Sequence, residues 1–225
     1  MNFVIVSEKS WNSQLLDRLD KHFPNDSWTL INKREDLTVD NLNQLHPDKV
    51  FVPHWSYIIP ASIYNDFECI VFHMTDLPFG RGGSPLQNLI VRGYKETKVS
   101  ALRVVNVLDG GDIYLKKSLS LYGTAEEIYM RANDVIEQMI IEIVKNNLTP
   151  IPQQGKVVEF KRRKPAESNI AELDSIEQVY DYIRMLDAEG YPNAFLECGN
   201  FRLEFSRASL KADNSIVADV KIRLK

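Results

Sequence analysis

The sequence predicts an α/β fold in which a Rossmann-like, mostly parallel sheet is flanked by helices and followed by a small β-rich C-terminal appendage. Short, continuously apolar segments such as residues 69–72 are typical of strands buried on both faces of a parallel sheet. Segments with helical apolar spacing alternate with these strands along most of the chain. The C-terminal part carries short alternating runs bounded by turn residues, which predict antiparallel strands. We therefore expect a main domain over residues 1–150 and an α+β subdomain over residues 151–225.

The first predicted strands are short and apolar, and they cover residues 3–6, 28–31 and 49–53. An amphipathic helix follows the first strand, with Trp11, Leu15 and Leu19 on one face and Ser10 as its expected N-cap. A weaker helix is expected over Val39–Leu45. No G-x-G-x-x-G turn follows the first strand, which argues against a binding site for NAD or FAD.

The fourth strand leads into the stretch on which the predicted function depends. It covers residues 69–72, and His73 follows at its carboxyl end, where open α/β sheets bind ligands. Three glycines come soon after and permit close approach of a ligand to the backbone. Ser84 and Pro85 suit the N-cap and the first position of the next helix. The alternative interpretation is a core histidine followed by an ordinary surface loop.

A second strand end is expected beside His73. Residues 98–107 have the alternation of a strand, and the sequence L-D-G-G-D follows them. A strand, a crossover helix and a parallel strand in one sheet connect with a right-handed sense, which brings both carboxyl ends to the same edge. We therefore expect Asp109 to lie next to His73, although 36 positions separate them.

The remaining elements are expected to be scaffold. A hairpin strand follows Asp112, and a capping box of Thr124 and Glu127 opens a helix with one apolar stripe. Ser175 and Gln178 form a second capping box. Short β-like runs complete the chain.

The charge balance disfavours nucleic acid as a partner. The formal net charge is −4, and residues 151–225 hold 12 basic and 12 acidic side chains. Affinity for nucleic acid depends on clustered Lys and Arg that neutralise phosphates. The basic run at residues 161–164 has two interpretations: a solvated surface, or a site that neutralises a nucleotide pyrophosphate.

Cys69 and Cys198 have no metal-site spacing and are expected to be free thiols in a reducing compartment. The first residues lack a basic and apolar signal pattern, and no apolar run is long enough to span a membrane. We expect a cytoplasmic protein with no membrane partner.

The stretch F-H-M-T-D-L-P-F-G-R-G-G-S-P-L-Q-N-L-I, followed by the D-x-G motif at Asp109, resembles the N10-formyltetrahydrofolate-dependent formyltransferases, a methionyl-tRNA formyltransferase-like family. The resemblance covers residues 1 to about 165. It is strongest to the short sugar-nucleotide N-formyltransferases of the pseudaminic-acid type pathway and to the formylation domain of gramicidin synthetase. The chain departs from the family at Val71, where an asparagine is usual and where valine cannot donate a hydrogen bond.

The resemblance implies formyl transfer from N10-formyltetrahydrofolate to the amine of a small nucleotide-sugar acceptor, such as UDP-4-amino-4,6-dideoxy-N-acetyl-altrosamine. It implies that His73 donates to the developing oxyanion and that Asp109 orients His73 and accepts or relays the proton of the amine. No metal and no nucleic acid are implied, and a homodimer is possible. Two alternatives stay open: an aminoacyl group on a carrier domain or tRNA as acceptor, and a non-catalytic protein that binds folate or a sugar nucleotide.

The expected binding residues fall into two groups. The folate is expected to contact Tyr57, Ile58, Ile59, Thr75, Leu77, Pro78, Arg81, Val105, Val107 and Leu108. The acceptor is expected to contact His54, Trp55, Arg81 and Gly82.

Overall fold

The computed structural model describes residues 1–9, 12–55 and 57–225, which form two compact units. The first unit comprises Met1–Arg81, Lys98–Ser118 and Ala132–Glu159, and the second comprises Gly82–Thr97, Leu119–Arg131 and Phe160–Lys225. The expected N-cap Ser10 and the aromatic residue Trp11 lie outside the described residues.

The strands are β1 (Asn2–Val6), β2 (Ser27–Ile31), β3 (Lys49–Val52), β4 (Cys69–His73), β5 (Phe79–Gly82), β6 (Glu96–Arg103), β7 (Ile113–Ser120), β8 (Val158–Phe160), β9 (Ala194–Cys198), β10 (Phe201–Leu210) and β11 (Ile216–Leu224). The α-helices are α1 (Asn12–His22), α2 (Val39–Leu45), α3 (Ala61–Tyr64), α4 (Pro85–Val91), α5 (Ala125–Lys145) and α6 (Ile176–Arg184).

The main sheet confirms the predicted α/β class. Its strand order is β2-β1-β3-β4-β6-β7, and β1 pairs in parallel with β2 and β3, as does β3 with β4. The inner strands are short and apolar because both of their faces are covered; Val4, Ile5, Phe51 and Ile70 are almost completely buried. Helix α5 contributes its predicted apolar stripe, with Ile136, Met139, Ile140 and Ile143 fully buried.

The predicted direction of β6 is wrong. Strand β6 is antiparallel to β4, with His73 opposite Ser100 and Ile70 opposite Arg103. The carboxyl end of β6 therefore lies beside the beginning of β4, and not beside His73. The segment after Arg103 has to return along the sheet to bring Asp109 to His73.

In the second unit, β11-β10-β9 form an antiparallel sheet, as the C-terminal pattern predicts. The register places Phe201 opposite Leu224 and Leu203 opposite Ile222, so that one face of the sheet is apolar. Within this unit the buried Arg184 donates to the carbonyl oxygens of Leu121 and Gly123 at 2.7 and 2.8 Å, and its charge is balanced by an ion pair with Asp181 at 2.6 Å.

Of the three predicted N-caps that lie within the described residues, two are confirmed. Thr124 and Glu127 accept each other's backbone N–H, and the Ser175 hydroxyl accepts from the backbone of Gln178. The predicted cap at Ser84 is wrong, because its backbone is left-handed at φ +51° and its hydroxyl accepts the backbone N–H of Arg163 instead.

Both cysteines are free thiols, as predicted, and burial raises the pKa of Cys69 to about 12. No described helix has the length and apolar character that a membrane crossing requires. Within the described residues, His, Cys, Asp and Glu side chains form no cluster suited to a metal ion.

Candidate active site

His73 is the last residue of β4, and the protein holds its ring from both sides. Its Nε2 lies 2.7 Å from the carbonyl oxygen of Gly80, which also accepts from the Thr75 hydroxyl at 3.3 Å. A carbonyl oxygen can only accept, so Nε2 carries a hydrogen. Nδ1 is therefore the atom of the ring that is left for proton exchange.

Asp109 lies beside that atom, as the sequence predicts. Its Oδ2 is 3.6 Å from His73 Nδ1, and about a tenth of each side chain is exposed. This separation is longer than a hydrogen bond, so the two atoms are adjacent without being bonded to each other, and a polar hydrogen of a ligand can lie between them. Asp109 has a left-handed backbone at φ +50°, a conformation in which aspartate is enriched among the non-glycine residues.

Neither glycine after Asp109 has room for a side chain: Gly111 lies against backbone, and Gly110 lies against the Val107 side chain. A Cβ at Gly111 would lie 1.8 Å from the carbonyl oxygen of Arg103, and a Cβ at Gly110 would lie 2.5 Å from Val107 Cγ1. The Arg103 N–H donates to the carbonyl of Asp112 at 2.9 Å. The L-D-G-G-D sequence is thus a tight return loop that carries Asp109 back along the sheet.

Arg81 and Gln153 form a contact that sequence reasoning missed. Arg81 donates from Nε and Nη2 to Oε1 of Gln153 at 3.2 and 2.7 Å, and Gln153 Nε2 donates to the carbonyls of Asp109 and Gly111 at 2.8 Å each. Gln153 stands in an irregular segment after α5, where no periodicity or motif distinguishes it.

The residues expected to frame the folate differ in accessibility. Thr75, Leu77 and Pro78 are buried, backbone included, and the Thr75 carbonyl already accepts the Ser100 hydroxyl at 2.7 Å. Val105 is half-buried, whereas Val107 and Leu108 are 52% and 64% exposed. Two exposed aliphatic side chains next to the Asp109 carboxylate form an apolar surface suited to a planar ligand ring.

The segment after β3 presents a second apolar surface. Ile58 is 85% exposed, while Ile59 is buried in the core with Ile63. Tyr57 is partly exposed; its ring packs edge-on against Trp55 at 5.3 Å and is covered by the Arg34 guanidinium at 4.4 Å.

His54 and Trp55, expected as acceptor contacts, are both half-buried. His54 has a left-handed backbone, its Nε2 is buried, and burial together with the charge of Lys9 lowers its pKa to about 4. Trp55 packs against the same core cluster as Val71, and its buried Nε1 meets no hydrogen-bond acceptor within the described part of the chain. The intervening Ser56 lies outside that part.

Close packing explains the residue types at positions 82 and 71. Gly82 ends β5 at φ +101°, and a Cβ there would lie 2.4 Å from the carbonyl oxygen of Phe160. Val71 packs against two apolar clusters of the first unit, so an amide at this position would displace core contacts.

The chain matches two family models. Residues 5–144 match the model described as formyl transferase, and residues 165–223 match the C-terminal domain of methionyl-tRNA formyltransferase. The chain belongs to the formyl transferase family. The resemblance stated from the His73 and Asp109 motifs is thereby confirmed.

Curated relatives include the methionyl-tRNA formyltransferase of Rickettsia felis, which is 29% identical over 140 residues, 60% of this chain and 46% of that protein. The chain spans about half the length of the curated relatives it matches.

Solved structures extend the comparison over the whole chain. A methionyl-tRNA formyltransferase from Clostridium thermocellum is 49% identical, with a TM-score of 0.96 and complete coverage of both chains. A sugar N-formyltransferase from Shewanella sp. shares the fold at a TM-score of 0.67, with 18% identity and coverage of 97% and 96%.

Proposed function

We propose that this protein is an enzyme that transfers the formyl group of N10-formyltetrahydrofolate to the primary amine of a nucleotide-linked amino sugar. The observation that carries the proposal is the His73–Asp109 pair, enclosed at the end of β4 in a chain of the formyl transferase family. The donor supplies an activated formyl group, and the chain supplies the groups that handle the proton and the developing charge.

Acyl transfer to an amine makes two demands on the site. The amine must lose a proton as it attacks, and negative charge on the formyl oxygen must be stabilised. Asp109 accepts the proton, alone or shared with His73 Nδ1. The proton then passes to N10 of the donor as the bond between the formyl carbon and N10 breaks, so that tetrahydrofolate leaves as a neutral amine. With Nε2 committed to the Gly80 carbonyl, His73 donates to the formyl oxygen from Nδ1 when that atom carries the proton.

The residues of the first unit fit a folate. Ile58, Val107 and Leu108 are exposed aliphatic side chains that can cover an apolar ring system, and each belongs to a segment expected to bind the donor. Arg81 would contact a carboxylate of the donor or a phosphate of the acceptor.

The charge balance favours a small acceptor over tRNA. The net charge of −4 provides little general attraction for a polyanion, whereas one or two arginines suffice to bind a diphosphate. UDP-linked 4-amino sugars of the altrosamine type are the first acceptors to test, because the sequence around His73 resembles that subgroup.

A second acceptor has its own support. The structure that is 49% identical over the full chain is described as a methionyl-tRNA formyltransferase, so methionyl-tRNA is the alternative substrate. An aminoacyl group on a carrier domain would present the same reacting amine.

The test is an acceptor panel with N10-formyltetrahydrofolate as donor. The protein is incubated with UDP- and TDP-linked 4-amino sugars, with methionyl-tRNA and with an aminoacyl carrier domain, and products are weighed by mass spectrometry. Gain of one formyl group on a sugar nucleotide supports the proposal. If methionyl-tRNA alone is formylated, the proposed sugar-nucleotide acceptor is wrong and methionyl-tRNA takes its place. If the folate binds but no amine is formylated, the protein is non-catalytic.

A further inference from the structure

The Gln153 side chain uses its whole amide group within the first unit. Oε1 accepts two hydrogen bonds from the Arg81 guanidinium, and Nε2 donates one to the carbonyl of Asp109 and one to the carbonyl of Gly111. An amide has one acceptor and two donor hydrogens, so this geometry satisfies it completely. Gln153 therefore has a defined orientation, in contrast to a surface glutamine.

These contacts close a ring around the proposed catalytic pair. His73 is bound to the carbonyl of Gly80, the residue before Arg81, and Arg81 is bound to Gln153. Gln153 in turn holds the backbone of Asp109, whose carboxylate faces His73. Displacing Gln153 would release both the arginine and the loop that carries the carboxylate.

The segment that carries Gln153 is held in place by β7. Ile151 and Ile113 form an antiparallel bridge with two backbone hydrogen bonds of 2.8 and 2.9 Å. This pairing fixes the position of the backbone two residues before Gln153. The fold therefore places the Gln153 side chain within hydrogen-bond distance of Arg81.

The partner of Arg81 is neutral, which leaves its charge available. Among the described residues, Arg81 has no carboxylate within ion-pair distance, and it is half-buried. A carboxylate in place of the amide would orient the guanidinium equally well but would cancel its charge. A neutral acceptor orients the guanidinium and preserves its attraction for a ligand anion.

We propose that Gln153 is a positioning residue that orients Arg81 as an uncompensated cation for an oxyanion of a substrate and holds the Asp109 loop in its reactive position. The inference rests on the proposed function. The oxyanion is a carboxylate of the formyl donor or a phosphate of the acceptor, because each presents two oxygen atoms that a guanidinium can bind in a bidentate way.

The experiment compares Gln153→Ala, Gln153→Glu, Arg81→Ala and the double variant Arg81→Ala/Gln153→Ala with the wild type. Gln154→Ala is the matched control, because Gln154 is exposed and forms no hydrogen bond within the described part of the chain. The readouts are kcat, the KM for the donor and the KM for the acceptor. Dissociation constants for the unreactive 5-formyltetrahydrofolate and for the free nucleoside diphosphate are measured in parallel.

Gln153→Ala is expected to raise the KM for one substrate on the order of tenfold, the loss typical of one charge-assisted hydrogen bond, and to lower kcat on the order of 10- to 100-fold through the Asp109 loop. Whether the donor or the acceptor KM rises identifies the source of the oxyanion. Gln153→Glu is expected to raise the same KM at least as much, although it keeps an acceptor for Arg81.

The double variant separates positioning from a structural role. If Gln153 acts through Arg81, the KM of the double variant equals that of Arg81→Ala within about twofold, because neighbouring effects in one network do not add. Three results would overturn the proposal. In the first, the KM increase of the double variant equals the product of the two single-variant increases. In the others, Gln153→Glu has wild-type KM values, or Gln153→Ala behaves like Gln154→Ala. If the wild type transfers no formyl group, the proposed function fails separately, and the dissociation constants still decide the role of Gln153.

Discussion

His73 and Asp109 form the part of the site that depends most on single side chains. His73→Ala removes the imidazole that lies between the Gly80 carbonyl and the Asp109 carboxylate. We expect kcat to fall about 100-fold or more while the fold is retained, because the ring lies at a strand end. Formyl transfer assays and the thermal unfolding midpoint check this. Full activity in the variant would remove His73 from the mechanism.

His54 makes the stability of the protein dependent on pH. Burial lowers its pKa from 6.5 to about 4, so between these pH values the unfolded chain binds a proton that the folded chain excludes. The neutral His54 side chain contributes fully to the unfolding free energy above pH 6.5, and this contribution is lost as the pH falls toward 4. A single group contributes at most about 1.4 kcal/mol per pH unit to the slope.

His54→Asn is therefore expected to flatten the decline of the unfolding free energy between pH 6.5 and 4, since asparagine does not titrate and tolerates the left-handed backbone. Urea titrations at several pH values measure the slope. His46→Asn is the matched control, because His46 is also left-handed but exposed, and its curve should run parallel to that of the wild type. Equal slopes for His54→Asn and wild type would show that His54 is not the group responsible.

At the scale of elements, the return loop after β6 decides whether the site can assemble. Gly111→Ala would place a Cβ 1.8 Å from the Arg103 carbonyl, and no rotation of a side chain can relieve a clash with backbone. We expect a loss of at least about 2 kcal/mol in the unfolding free energy, together with a lower kcat because Asp109 moves. Chemical denaturation and the transfer assay report the two effects separately.

Gly93→Ala is the control for this loop. Gly93 has a positive φ of +79°, but a Cβ there would meet no atom within 4 Å. The cost is limited to backbone strain of about 1–2 kcal/mol, with kcat unchanged. A Gly111→Ala protein as active and stable as Gly93→Ala would contradict the account of the loop.

At the scale of the whole molecule, charge distinguishes the two acceptors. A net charge of −4 predicts weak binding of tRNA, with a dissociation constant that changes little between about 50 and 200 mM salt. Filter binding with methionyl-tRNA over this range measures the slope. A steep loss of affinity with salt would reveal phosphate contacts and favour methionyl-tRNA. The homodimer implied by the resemblance stays a prediction, which sedimentation velocity can check.

Local pattern alone was sufficient for most elements and for part of the site. The strands β1 to β4 begin and end within one residue of their predicted limits, because continuous apolar runs report burial directly. Thr124 and Ser175 cap their helices as predicted, since capping depends on residues three positions apart. The motif at His73 was sufficient to indicate the family, which the match over residues 5–144 confirms.

The sequence by itself determined which segments are buried and where two of the helices are capped, and it indicated that His73 and Asp109 meet, although it assumed the wrong direction for β6. Only the tertiary structure decided the direction of β6, because side chains alternate identically in parallel and antiparallel strands. It also decided that Ser84 is not a cap and that Gln153 contacts Arg81, a residue 72 positions away. Both depend on hydrogen bonds between segments distant in sequence, and a local pattern carries no information about which distant group supplies the partner.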